Sequence, residues 1–242
     1  MNRKILTTIL FITASIAAHA QEAPSATIAT DVVSQYVWRG LNVGSVSLQP
    51  SLELQAYGLQ LSAWGNIGLS EPQDTKELDL TLTYTLGGLT VGIIDYWFNE
   101  GLDPDNRYFK YDSHSTNHLF EATIGYDFGL ASLAWYTNFA GNDTRTEKGH
   151  RAYSSYVEAS VPFTFATIDW TATLGAVPFA TEFYDTRGFA VTDLTLRAAK
   201  DLRITDRFAI PLFAQLTANP HSQKAYLLVG FTLSSGQIKL TK

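Results

Sequence analysis

Apolar and polar residues alternate along most of the chain. Between Glu77 and Leu86, Leu78, Leu80, Leu82, Tyr84 and Leu86 fall on one face, and Asp79, Thr81, Thr83 and Thr85 on the other. Successive side chains of a strand point to opposite sides, so this segment is a strand that is apolar on one side and polar on the other. His118–Phe128 repeats the arrangement, with Phe120, Ala122, Ile124, Tyr126 and Phe128 opposite Glu121, Thr123 and Asp127. The alternation predicts twelve strands, at 26–39, 49–57, 59–70, 77–86, 89–99, 118–128, 131–140, 152–162, 167–177, 190–200, 207–217 and 224–234. Most have the length, about 9–11 residues, that a tilted strand needs to cross a hydrocarbon layer. No helical period stands out after residue 20. Leu89–Asn99 is the one ambiguous strand: Tyr96 and Phe98 favour one register and Trp97 the other.

The connections alternate in length. Short ones lie at Tyr57-Gly58, Gly87-Gly88, Phe128–Leu130, Phe163–Ala166 and Asp201–Asp206. Longer polar ones lie at Gly40–Leu48, Glu71–Lys76, Glu100–Asn117, Gly141–Arg151, Pro178–Phe189 and Ala218–Gln223. Bacterial barrels have an even number of strands, short periplasmic turns and longer outside loops. The expected fold is therefore all-β: a closed antiparallel up-and-down transmembrane β-barrel of about 12 strands. A soluble β-sandwich also alternates. Here, however, the polar faces are mostly Thr, Ser, Gln, Asn and Gly rather than charged. Aromatics also gather near strand ends (Tyr36, Trp38, Tyr96, Trp97, Phe98, Trp135, Phe139, Trp170), where membrane-interface girdles sit.

Residues 1–20 read as a secretion signal. Arg3 and Lys4 precede the apolar stretch Ile5–Ala18, which is shorter than the roughly 20 residues of a spanning helix. Ala18-His19-Ala20 is a small-x-small cleavage site, giving a barrel domain over 21–242. Of the 17 Lys and Arg, two belong to the leader, whereas all 23 Asp and Glu follow it. Such an acidic chain does not suit nucleic acid or an anionic membrane surface. With no cysteine, disulfide stapling and thiol chemistry are excluded.

Asp31–Leu69 carries Ser34-Gln35-Tyr36-Val37-Trp38-Arg39-Gly40, then Gln49, Pro50 and Leu52, then Trp64 and Gly65. This order resembles the opening of the TorF-like putative porins, in which an S-x-Y-V-[FW]-R-G strand is followed by a Gln-Pro-x-Leu strand and a Trp-Gly strand. The resemblance implies an outer-membrane barrel of porin type and says little about its solute. Many barrels end on an aromatic residue, whereas here Ser235–Lys242 follows the last strand.

With lipid outside, the polar faces line the lumen. The expected pore-lining residues are Arg39, Glu53, Gln55, Asp79, Glu121, Glu158, Asp193, Arg197 and Gln215, with Asp31, Asp127 and Asp169 near the periplasmic rim. Glu53, Glu158 and Arg197 fall nearest mid-height, and Arg39 at the outer rim. Acids outnumber bases, which favours cations. Twelve strands lie between a filled eight-stranded barrel and an open aqueous pore, so charges paired across a plugged interior, such as Arg197 with Glu158, are the alternative.

Catalytic chemistry is not expected. His114, His118, His150 and His221 all fall in or at the edge of the longer connections, on the outside, and Asp112–His118 has suggestive composition without a rigid support. Asp103, Asp105 and Asn106 lack the remainder of a calcium loop, so neither a metal nor another cofactor is expected. The longest connection, Glu100–Asn117, is expected to cover part of the pore mouth. The sequence thus points to a passive channel for small polar solutes or cations, among outer-membrane lipid and lipopolysaccharide. The alternative is a non-conducting barrel serving as scaffold, adhesin or lipid-modifying enzyme.

Overall fold

The computed structural model describes residues 23–70, 76–99, 103, 105–113, 115–206 and 208–240. The leader Met1–Ala20, most of the Glu71–Lys76 connection and His114 lie outside the described residues. Twelve antiparallel strands form the wall: β1 (Ser25–Val33), β4 (Ser47–Ala56), β5 (Leu59–Gly68), β6 (Lys76–Leu86), β7 (Leu89–Phe98), β8 (His118–Asp127), β9 (Ser132–Gly141), β10 (Ser155–Phe165), β11 (Ile168–Val177), β12 (Ala190–Thr205), β13 (Phe208–Asn219) and β14 (Lys224–Ser234). Each wall strand pairs with the next, and β14 returns to β1 with Ala29 opposite Ser234 and Val33 opposite Gly230. The sheet is a closed 12-stranded barrel. Its two ends are the loop end, with the long connections, and the turn end, with the short ones.

The alternation works as the sequence implies. Leu52, Leu54, Leu59, Leu61, Leu80, Leu82, Val91, Ile93, Ile124, Leu174, Leu196 and Leu216 all point outward and are exposed. A wall this apolar is made for hydrocarbon, and the strand backbone is satisfied within the closed ladder. In β7 the outward row is Leu89, Val91, Ile93, Asp95 and Trp97, so Trp97 sets the register and Tyr96 turns inward, next to Asp79 of β6. Tight turns carry the sharpest reversals. Tyr57 and Gly58 (φ 54° and 80°) and Ala166 and Thr167 (φ 52° and 62°) occupy the left-handed region at both central positions, which matches the twist of paired strands.

Strand ends shift in places, β12 running to Thr205 through most of the expected connection Asp201–Asp206 and β10 to Phe165 through most of Phe163–Ala166. Two departures are larger. The first predicted strand does not continue to Arg39. The wall strand stops at Val33, and 36–44 forms a separate hairpin, β2 (Tyr36–Trp38) and β3 (Leu41–Gly44). This hairpin alternates too, so periodicity alone runs through the break at Ser34-Gln35. The second departure is the tail. The short strand β15 (Ile238–Lys239) pairs with Ser25 and Ala26 of β1, below the point where β14 leaves it. The Ser235 amide donates to the Ile28 carbonyl (2.9 Å) and the Leu240 amide to that of Pro24 (2.7 Å). The tail thereby completes the seam.

A barrel without sheet edges unfolds only by opening the whole ladder. In detergent the protein is expected to be β-rich and to migrate differently on gels before and after boiling; identical migration would contradict a closed barrel.

Candidate functional site

The hairpin β2–β3 folds into the lumen at the loop end, and its tip is Arg39-Gly40. Both tip residues have positive φ (48° and 79°), a two-residue turn of the kind that joins twisted strands. Gly40 lies against the wall: a Cβ built there would stand 1.7 Å from the carbonyl oxygen of Thr192. On the other side, Asn219 Nδ2 donates to the Gly40 carbonyl (3.1 Å).

Arg39 is the centre of the arrangement. Its Nη1 and Nη2 donate to Glu121 Oε2 (2.6 Å) and Oε1 (2.8 Å), a two-pronged pair with side chains 7% and 1% exposed. Nη1 also donates to the Tyr184 hydroxyl (2.7 Å). The guanidinium lies over the rings of Trp38, Tyr136 and Tyr156, at 4.4, 4.1 and 4.8 Å from their centroids. Two charges this deep persist only with dense hydrogen bonding, and here Tyr96 supplies a further bond to Glu121 Oε1 (3.0 Å). Tyr184 arrives from the connection after β11, on a one-turn 3-10 helix, Glu182–Tyr184, capped by Thr181. Burial pushes its phenol up to about 12, so it stays neutral and keeps its own proton to donate.

The remaining lumen residues split by depth. Near the loop end, Asp193 accepts from the Tyr156 hydroxyl (3.1 Å) and from Thr195 (2.6 Å), and Glu158 accepts from Tyr136 (3.4 Å). Asp79 is 8% exposed, between Trp64 and Tyr96 on the neighbouring strands. Arg197 does not meet Glu158: it lies 3.7 Å from the Phe213 ring centroid and donates weakly to Gln215 (3.4 Å). Among the described residues, the cation that bonds to a lumen acid is Arg39, and the acid is Glu121. Gln215 also donates to Thr217 (3.1 Å). Toward the turn end the lumen is wet. Glu53, Gln55, Asp127, Asp169 and Asp201 are exposed, and Glu53 accepts from Gln60 (2.6 Å). Asp31 accepts from Thr232 (2.6 Å). The result is a polar cup at the turn end, with a buried apolar cluster of Val33, Phe213 and Leu228 on one side of the wall and the hairpin narrowing the loop end.

Several participants stand outside the expected set: Tyr36, Trp38, Glu77, Tyr96, Tyr136, Tyr156, Tyr184 and Asn219. Three of them had a signal. Tyr96, Tyr136 and Tyr156 occupy inward positions in rows otherwise rich in Thr, Ser, Gly and Ala, and a large aromatic there has to fill space. Of the aromatics expected in a girdle, Trp97, Trp135, Phe139 and Trp170 belong to outward-facing rows. Tyr36, Trp38, Tyr96 and Phe98 face the lumen or its mouth instead.

The longest connection also behaves differently from expectation. Its described residues fold over the outer wall rather than the mouth. Asn106 bridges Trp97 Nε1 (3.0 Å) and the Phe98 carbonyl, and Tyr111 stacks on His118 with centroids 4.1 Å apart. His118 is not a loop residue: it opens β8 on the outward face and is fully buried under this cover. Its Nδ1 bonds Asp95 (2.7 Å) and its Nε2 the Tyr108 carbonyl. Both ring nitrogens are thus engaged by the cover on the outer wall. Among the described residues no group of three or more His, Cys, Asp or Glu is arranged to hold a metal.

No family model and no curated protein sequence matches the chain, so its opening segment's likeness to the TorF-like putative porins stands as a resemblance. Among solved structures, the chain is similar to an outer membrane channel from Pseudomonas putida F1, at 12% identity and a TM-score of 0.44, covering 89% of this chain and 96% of the other. Two mutant forms of Rh. blastica porin align at 10% identity and a TM-score of 0.35, covering 88% of this chain and 98% of theirs.

Proposed function

We propose that the chain is an outer-membrane channel of porin type, passing small polar solutes or ions through a lumen narrowed by the β2–β3 hairpin. One observation carries this reading: the turn-end part of the lumen is lined by exposed polar residues. Above it the passage is narrowed by a hairpin and a connecting loop, with a buried apolar cluster of Val33, Phe213 and Leu228 on the wall, rather than filled by a core along the whole barrel. A barrel serving only as a scaffold gains nothing from a wet cup lined by Glu53, Gln55, Asp127 and Asp169. The leader, the apolar wall and the polar lumen together support residence in the outer membrane, with the long connections outside and the short turns in the periplasm.

The exposed acids of the cup favour cations, because a carboxylate-lined passage concentrates counter-ions and repels anions. Arg197 and the exposed Arg203 share the cup, so the preference is modest. In a planar bilayer, purified protein is expected to give small discrete conductances with a reversal potential leaning toward the cation in a salt gradient. Glu53→Gln removes a water-exposed charge and should move that potential toward zero. Glu158→Gln, beside Tyr136 and in the reach of Arg39, should move it less. An anion-selective wild type would refute the assigned lining. Silence from the wild type and from variants with the hairpin released would favour the non-conducting barrel.

A further inference from the structure

Between the hairpin and the β6–β7 wall, sharing Trp38 with the constriction, lies a cavity of about 420 Å³. Tyr36, Trp38, Phe98 and Phe183 give it aromatic walls, and Asn42 and Glu77 give it polar ones. The size falls within the ~300–1,000 Å³ of small-molecule sites, and aromatic walls with few polar groups are their usual lining. Glu77 is 7% exposed, and the Tyr36 hydroxyl and Asp79 are hydrogen-bonded to it. Glu77 Oε2 and, one inward position deeper, Asp79 Oδ1 have no accessible surface and no partner among the described residues, so the cavity meets the rest of the Glu77 side chain. A buried carboxyl short of donors is costly, and a cation near it lowers that cost. The nearest buried base, Arg39, is already spent on Glu121.

A monovalent cation among ring faces with one carboxylate in reach is how quaternary ammonium ions are recognised. We infer that this cavity binds a small organic ammonium ion, held by Glu77 and the rings of Tyr36, Phe98 and Phe183. As a subsite for entering solute this rests on the channel reading; binding itself does not.

The test is calorimetric titration of the full barrel in detergent with choline, and with its uncharged isostere carrying tert-butyl in place of trimethylammonium. Choline is expected to bind saturably, and the isostere roughly tenfold or more weaker, since the pocket's charge and ring faces act on the cation alone. Glu77→Gln should bring choline down to the level of the isostere. Phe98→Leu keeps the charge and should weaken choline several-fold without affecting the isostere to the same degree. The gel shift on boiling reports that each variant is folded, and Phe98→Leu carries the test if Glu77→Gln does not fold. Equal binding of the two compounds, no saturable binding, or indifference to both substitutions would overturn the inference. Binding by a barrel that never conducts would remove the channel reading and leave the site. Conductance without binding would do the opposite.

Discussion

Replacing Arg39 with alanine is expected to raise single-channel conductance several-fold while the barrel remains closed and heat-modifiable. The hairpin's own ladder is two short strands, which are marginal by themselves. What holds it in the lumen is the bidentate pair to Glu121, the bond to Tyr184 and the three rings around the guanidinium. Removing one member of a buried pair costs about 3–5 kcal/mol, because the other charge is stranded. In this fold the strain has an outlet: if the hairpin leaves, Glu121 regains water. The wall ladder from β4 to β14 contains none of the hairpin residues and stays intact. Arg39→Lys keeps a charge but loses the two-pronged geometry, so it should fall between wild type and alanine. In the double variant Arg39→Ala, Glu121→Ala no charge is stranded; thermal stability should recover toward wild type while conductance stays high. Stability and opening would thereby separate. An Arg39→Ala channel as closed as the wild type would mean that the hairpin does not control the passage.

The wall of this barrel was legible because each strand states its two faces independently. Leu78 to Leu86 needs no knowledge of β7 to declare itself outward-facing. The ambiguous strand needed its neighbour: Asp95 breaks the outward row of β7, and only the cover of His118 and Tyr111 explains a carboxylate there. The lumen was half legible. Which residues turn inward follows from period 2, whereas which of them meet does not. Arg39 and Glu121 are 82 residues apart and come from a hairpin and the far wall, so no local spacing encodes their contact. Expecting Arg39 at the rim followed from extending β1 through Ser34-Gln35. The alternation of Tyr36 and Trp38 is genuine, but it belongs to a second, inner sheet. Tyr184 was beyond reach for the same reason, since its place depends on how a loop closes over a finished barrel.

Gly40 separates the steric basis of this closure from its electrostatics. Gly40→Ala alters no charge and no ring and keeps the carbonyl that accepts from Asn219, yet it places a methyl group 1.7 Å from the Thr192 carbonyl oxygen, at a φ of 79° that alanine adopts reluctantly. Thr192 is the residue that β12 leaves out of register with β11 at the loop end, yet it is fully buried. The hairpin is outside the wall ladder and held by side-chain contacts, so its tip is the part expected to withdraw, and Arg39 with it. The expected phenotype is that of Arg39→Ala, a conductance several-fold above wild type with the gel shift on boiling preserved, although every partner of the ion pair is present. Gly141→Ala is the matched control. It has φ 74° and a severe contact, 2.0 Å from the His118 carbonyl, but its nearest neighbours are wall backbone of β8, not the hairpin. It should lower thermal stability and leave conductance near wild type. If Gly141→Ala opened the channel as much as Gly40→Ala, general loosening of the barrel rather than release of the hairpin would be the cause. If Gly40→Ala stayed closed, the seat of the tip against Thr192 would have no part in the closure.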